Sequence, residues 1–138
     1  MGFFIKHMPN GGETKYVTEA EFLENLQMQT FLVKRTLEKL HHFSVVENKG
    51  TELAFFFYTN AQEKAGELAS SLKRRGYSVW HGPSDYDDKL YVVKGWTEKM
   101  STDEEILGNW VKEMCQLGFA YDCEFDGWEI KTDWGEYK

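Results

Sequence analysis

Cysteine, proline and long apolar runs are all scarce in this chain, and each scarcity excludes something. The two cysteines, Cys115 and Cys123, form no CxxC pair. They fall on different expected elements, which argues against a disulfide scaffold or a zinc site. Both read as reduced, buried small hydrophobes. No run approaches the roughly 20 apolar residues that a membrane span needs. Phe3-Phe4-Ile5 is too short for a signal-peptide core and has no basic segment before it. The expectation is a cytoplasmic protein with no membrane partner. No HExxH, no Walker loop, no nucleophile elbow and no GxGxxG is present. No catalytic residue, metal ligand or cofactor is therefore assigned, and the chain reads as a non-enzymatic protein. Basic residues are also in the minority, 16 against 23 acidic, for a net charge of −7. Such a surface repels a phosphate backbone and suits a basic protein partner, which disfavours direct nucleic-acid binding.

What the chain does have is apolar and aromatic mass. Hydrophobic residues make up 41% and aromatics 16% of 138 residues, enough for one domain with a real core. The densest stretch is Leu53-Ala54-Phe55-Phe56-Phe57-Tyr58. Its composition is that of a strand, and bulky groups at odd and even positions imply cover on both faces. The other elements are expected to lie around it.

Residues 1–17 read as an arm or hairpin, with Pro9-Asn10-Gly11-Gly12 as its turn. Thr18-Glu19-Ala20-Glu21 is a capping box. The spacing of Leu23, Leu26, Val33, Leu37 and Leu40 predicts a helix to about residue 41. After the central strand, Asn60 is the expected N-cap of a second helix with Ala61, Ala65, Leu68, Ala69 and Leu72 on one face, closed by Gly76. Strands are expected at 77–81 and 89–96, joined by an acidic loop over 82–88. Ser101-Thr102-Asp103-Glu104 reads as another capping box, opening a helix that Gly118 closes. The alternation of Phe119, Tyr121, Cys123 and Phe125 predicts the last strand over 119–125, after which Asp126-Gly127-Trp128 turns the chain out.

The order is strand, helix, strand, strand, helix, strand. It predicts an α+β fold: a ferredoxin-like βαββαβ two-layer sandwich with an antiparallel sheet, preceded by an extra N-terminal helix. The expected sheet order is 4-1-3-2. The domain is expected to span 18–130, with 131–138 as a tail.

The open face of such a sheet is a natural place for function. On the last strand it should carry Asp122 and Glu124. On the first it carries Phe56 and Tyr58, or else Phe55 and Phe57. Aromatic rings there could stack bases, making single-stranded RNA binding the alternative function. The preferred account is that the long first helix packs over those rings. Asp85, Asp87 and Asp88 form the densest acid cluster, too few for a calcium loop but suited to pairing with basic groups on a partner. The candidate protein-binding residues are thus Asp85, Asp87, Asp88, Asp122 and Glu124.

At Glu124-Phe125-Asp126-Gly127-Trp128 the chain resembles the family of the ribonuclease E inhibitor, regulator of ribonuclease E activity B. The likeness takes in Arg75-Gly76-Tyr77-Ser78-Val79, the acidic loop and the third helix, about residues 53–128 in all. Asp126, Gly127 and Trp128 carry the family motif. The resemblance implies a ferredoxin-like fold and a protein-binding regulator that engages the scaffold region of ribonuclease E and lowers RNA cleavage. The arm over 3–17 and the short tail of mixed charge depart from that pattern. Trp128 is expected to act as a lid on the core rim.

Overall fold

The computed structural model describes residues 14–42, 50–85 and 87–131. The proposed hairpin turn at 9–12 and most of the tail lie outside them. Seven elements follow in order: α1 (Glu19–His42), β1 (Glu52–Thr59), α2 (Gln62–Arg74), β2 (Ser78–Pro83), β3 (Tyr91–Trp96), α3 (Glu104–Ala120) and β4 (Glu124–Lys131). The strands form one antiparallel sheet in the order β2-β3-β1-β4, the expected arrangement read from the other edge. The fold is therefore α+β, with the βαββαβ order behind a leading helix.

Burial along β1 alternates strictly. Leu53, Phe55, Phe57 and Thr59 are buried, and the intervening residues are half-exposed. The buried side meets Ala65, Leu68, Ala69 and Leu72 of α2 and Leu107, Val111 and Met114 of α3. Each large side chain so enclosed contributes about 1.5–3 kcal/mol relative to exposure. The expectation of cover on both faces of β1 is corrected here: the helices lie on one face.

Helix α1 starts as its sequence dictates. Thr18 N–H donates to Glu21 Oε1 at 3.0 Å, and Glu21 N–H donates back to Thr18 Oγ1 at 3.1 Å. The helix does not cross the open face, contrary to expectation. It packs beside α3, where Phe22 and Phe119 stack with centroids 4.4 Å apart. Val33 and Leu37 enter the common core. Asn25 Nδ2 and Gln29 Nε2 donate to the Phe125 carbonyl of β4 at 2.9 and 3.4 Å. These amides tie α1 to the margin of the sheet, so α1 cannot also cover its far side.

The other caps differ from the sequence reading. Ala61, not Asn60, occupies the N-cap of α2 and supplies no side-chain bond; Asn60 Oδ1 accepts from Lys64 Nζ instead. In α3 the cap is Asp103, whose carboxylate accepts from Glu105 and Ile106 N–H. Gly118 does not end that helix, which continues to Ala120. A Cβ on Gly118 would sit 2.8 Å from the Cys123 carbonyl and 2.9 Å from the Phe57 ring. Glycine is there for close packing, and the alternation over 119–125 belongs to a helix end and a turn, with the strand starting at Glu124.

Asp126-Gly127 is likewise no exit turn. The β1–β4 register shifts between Phe56 and Phe57, pairing Phe56 with Gly127 and Phe57 with Phe125. Asp126 is thus the extra residue of a β-bulge, and Gly127 takes φ 144°. In a regular strand Phe125 and Trp128, three apart, would face opposite sides; the bulge absorbs Asp126. With it both face the helices, and Trp128 meets Trp110 edge-on at 6.4 Å.

Gly95 of β3 opposes Val79, and a Cβ there would fall 1.8 Å from the Ser78 carbonyl oxygen. Backbone must move to accept any side chain. Gly95→Ala is therefore expected to lower stability by an amount at or above the top of the roughly 1–3 kcal/mol range for overpacking. Urea unfolding followed by circular dichroism would read this as a lowered midpoint; an unchanged midpoint would contradict the close strand contact.

Candidate functional site

The candidate acids occupy three environments. Asp85, Asp87 and Asp88 lie exposed in the loop between β2 and β3. The loop is a built turn: Ser84 N–H donates to Leu90 O at 2.9 Å, Leu90 N–H to Asp87 O at 3.0 Å, and Lys89 N–H to Asp87 Oδ1 at 2.9 Å. Asp87 thus spends one oxygen holding the turn, the usual habit of aspartate in loops. Among the described residues no group of three or more His, Cys, Asp or Glu side chains could hold a metal ion.

Asp122 is not on the open sheet face. It follows the last turn of α3 with φ 60°, a conformation that aspartate tolerates better than most side chains. Its carboxylate accepts from Tyr16 N–H at 2.7 Å, Val17 N–H at 2.8 Å and Lys64 Nζ at 2.6 Å, and its side chain is only 15% exposed. That oxygen pair anchors the segment ahead of α1 to the corner between α3 and β4. These bonds give Asp122 a structural task at this corner, away from the sheet face on which the sequence reading placed it.

Glu124 opens β4 opposite Tyr58. It lines an open groove of about 320 Å³ with Tyr16, Glu21, Glu24, Asn25 and Met28. Burial pushes its carboxyl above the ordinary value, and the nearby Asp126 and Glu21 carboxylates add to the effect. The cysteines behave differently. Burial pushes the Cys115 and Cys123 thiols up to about 12, leaving both as inert core thiols.

The face turned away from the three described helices follows from the register. Residues opposite one another share a side, so the rows run Gly82, Val92, Tyr58, Glu124; then Trp80, Lys94, Phe56, Gly127; then Ser78, Trp96, Ala54, Glu129. Trp80 is 51% and Trp96 42% exposed. Lys94 Nζ sits 5.1 Å from the Trp80 ring centre, within cation–π range. The Trp80 ring also lies across Gly82, where a Cβ would approach it to 2.7 Å. Trp80, Lys94 and Trp96 were not singled out in the sequence. The signal was there in their separation by even steps on paired strands, once the register is known. Of the proposed acids, Glu124 stands at one edge of this face. The β2–β3 loop lies at the same end, three strand spacings or about 14 Å away. Glu129 adds a carboxylate farther along β4.

The raised carboxyl of Glu124 sets a pH dependence. The folded state holds that proton more tightly than the unfolded chain does. The penalty is absent below the ordinary carboxylate range, grows as pH rises to the raised value, and is complete above it. Glu124→Gln is therefore expected to be the more stable protein at neutral pH, by a modest margin given the partial exposure. The margin should vanish on acidification through the carboxylate range. Thermal unfolding of both proteins across that range measures it, and a margin that widens on acidification would contradict the assignment.

A search of the curated proteins finds no match. The family model described as regulator of ribonuclease activity B matches residues 34–130. This span runs from the middle of α1 to β4 and includes the β2–β3 loop, the aromatic sheet face and the Asp126-Gly127 bulge. It covers more than half of the sequence, and the chain belongs to the regulator of ribonuclease activity B family.

Proposed function

We propose that this chain is a non-enzymatic regulator of RNA degradation in the cytoplasm, acting by binding a protein. The partner is ribonuclease E, engaged through a basic segment of its scaffold region. The observation that carries this reading is the aromatic sheet face turned away from the described helices, with Trp80 half-exposed on it and carboxylates at its borders. Asp85, Asp87 and Asp88 stand at one corner, Glu124 and Glu129 along β4. A segment mixing arginine or lysine with apolar side chains matches that arrangement. Its apolar groups would lie on Trp80, Trp96 and Phe56, and its cations would meet the acids. Family membership supports the ribonuclease connection, and the net charge of −7 supports attraction to a basic surface.

The same face supports a second reading, single-stranded RNA binding. Phe56, Tyr58, Trp80 and Trp96 lie on one side of the sheet with Lys94 among them, as base-stacking platforms require. The acids at the border oppose it, since they repel phosphate.

Two measurements separate these readings. The first is binding of purified ribonuclease E to the wild type and to a variant with Asp85, Asp87 and Asp88 changed to asparagine and Glu124 to glutamine. The protein-binding reading expects the variant to bind at least about tenfold more weakly, with a shallower salt dependence. Equal binding would mean the acidic border is not the contact. The second is tryptophan fluorescence titrated with mixed single-stranded oligonucleotides. The expected result is no change up to high micromolar RNA; saturable quenching that disappears in Trp80→Ala would assign the face to RNA.

A further inference from the structure

The outward side of α1 carries a second apolar surface, which borders the sheet face at the groove where Glu24 and Met28 stand with Glu124. Phe31 is 62% exposed and Met28 50%, with Leu32 exposed beside them; Leu23 is exposed as well, but nine residues before Leu32 it falls on the opposite flank of the helix. The inward residues Val33, Leu37 and Gln29 are buried against α3 and β4. The apolar character of the outward side is thus not required by the domain's own core. The family match begins at residue 34, so these four side chains lie outside it.

Charge is segregated along the same helix. Glu19, Glu21 and Glu24 fall in its first part, which has no basic residue up to Met28. Lys34, Arg35 and Lys39 fall in its second part, where Glu38 is the single acid. A helix of 24 residues is about 36 Å long. If two copies of α1 run antiparallel about a two-fold axis between Met28 and Phe31, residues whose numbers sum to 59 or 60 face one another. Met28 then meets Phe31 and Leu32 of the other copy and Glu24 meets Arg35, while Glu21, held in the capping box, falls opposite both Glu38 and Lys39 and adds no net attraction. Each pairing occurs twice, as a two-fold interface demands. At helical spacing Glu24, Met28, Phe31, Leu32 and Arg35 fall on one side of the cylinder. A parallel arrangement would instead set acid against acid and base against base.

We infer that this side of α1 is a self-association surface, occupied by the α1 of a second copy of the same chain. The interface is small, so the dimer forms in the micromolar range rather than as an obligate pair. Apart from the groove it shares with Glu124, it uses different side chains from the sheet-face reading, and its test reads self-association alone, so the failure of one is distinguishable from the failure of the other.

The test is sedimentation equilibrium of the full chain from low micromolar concentration to about 1 mM, the range over which such a weak interface populates its dimer. The expected result is a concentration-dependent monomer–dimer equilibrium weakened by salt. Phe31→Glu should abolish the dimer while circular dichroism and the unfolding midpoint stay unchanged, because the side chain is exposed. Glu24→Arg and Arg35→Glu should each weaken dimerisation about tenfold or more, and the double variant should restore it, since the swapped charges pair again. A chain that stays monomeric throughout, a dimer indifferent to Phe31→Glu, or a double variant no better than the single ones would overturn the inference.

Discussion

Along β1, side chains point alternately to the two sides of the sheet, and Leu53, Phe55, Phe57 and Thr59 give up their solvent contact on one side. Everything else answers to that parity. Two helices arrive on that side because right-handed crossovers deliver them there, and α1 joins them by packing on α3. The three neighbouring strands inherit the parity through the ladder. Among the described residues the helices therefore all lie on one side of the sheet, and the other side is rich in aromatic rings.

The Asp126-Gly127 bulge shows how strictly the parity is kept. Phe125 is needed under α3, and Trp128 is needed against Trp110. The bulge lets β4 carry Asp126 as an extra residue without turning either ring to the other side. Glu124 and Glu129 stay on the opposite side, where Tyr58 and Ala54 are their partners.

Much of the fold was legible in the residues. The capping box before α1, the apolar density of β1 and the spacing within α2 all translate directly into local hydrogen bonds and burial. So the element order and the sheet order followed. What did not translate depended on contacts between distant residues. Gly118 looks like a helix end, because the reason for it is the Phe57 ring, far away in sequence. Asp122 looks like a strand residue on an alternating run, but its role comes from the amides of Tyr16 and Val17. The position of α1 is not legible in its sequence, because helical periodicity says which side is buried and not against what. The aromatic pair Trp80 and Trp96 became a site only when the register placed them beside Phe56.

The amides of Asn25 and Gln29 on the Phe125 carbonyl have a consequence for how this sheet meets other chains. They and the bulge obstruct the β4 margin against the addition of a foreign strand. The opposite margin, β2, is six residues long and terminates at Pro83, which has no amide hydrogen to donate. Extension of the sheet into a fibril or an edge-to-edge polymer therefore meets a border interrupted at Phe125 and the bulge on one side and a short, poorly donating one on the other.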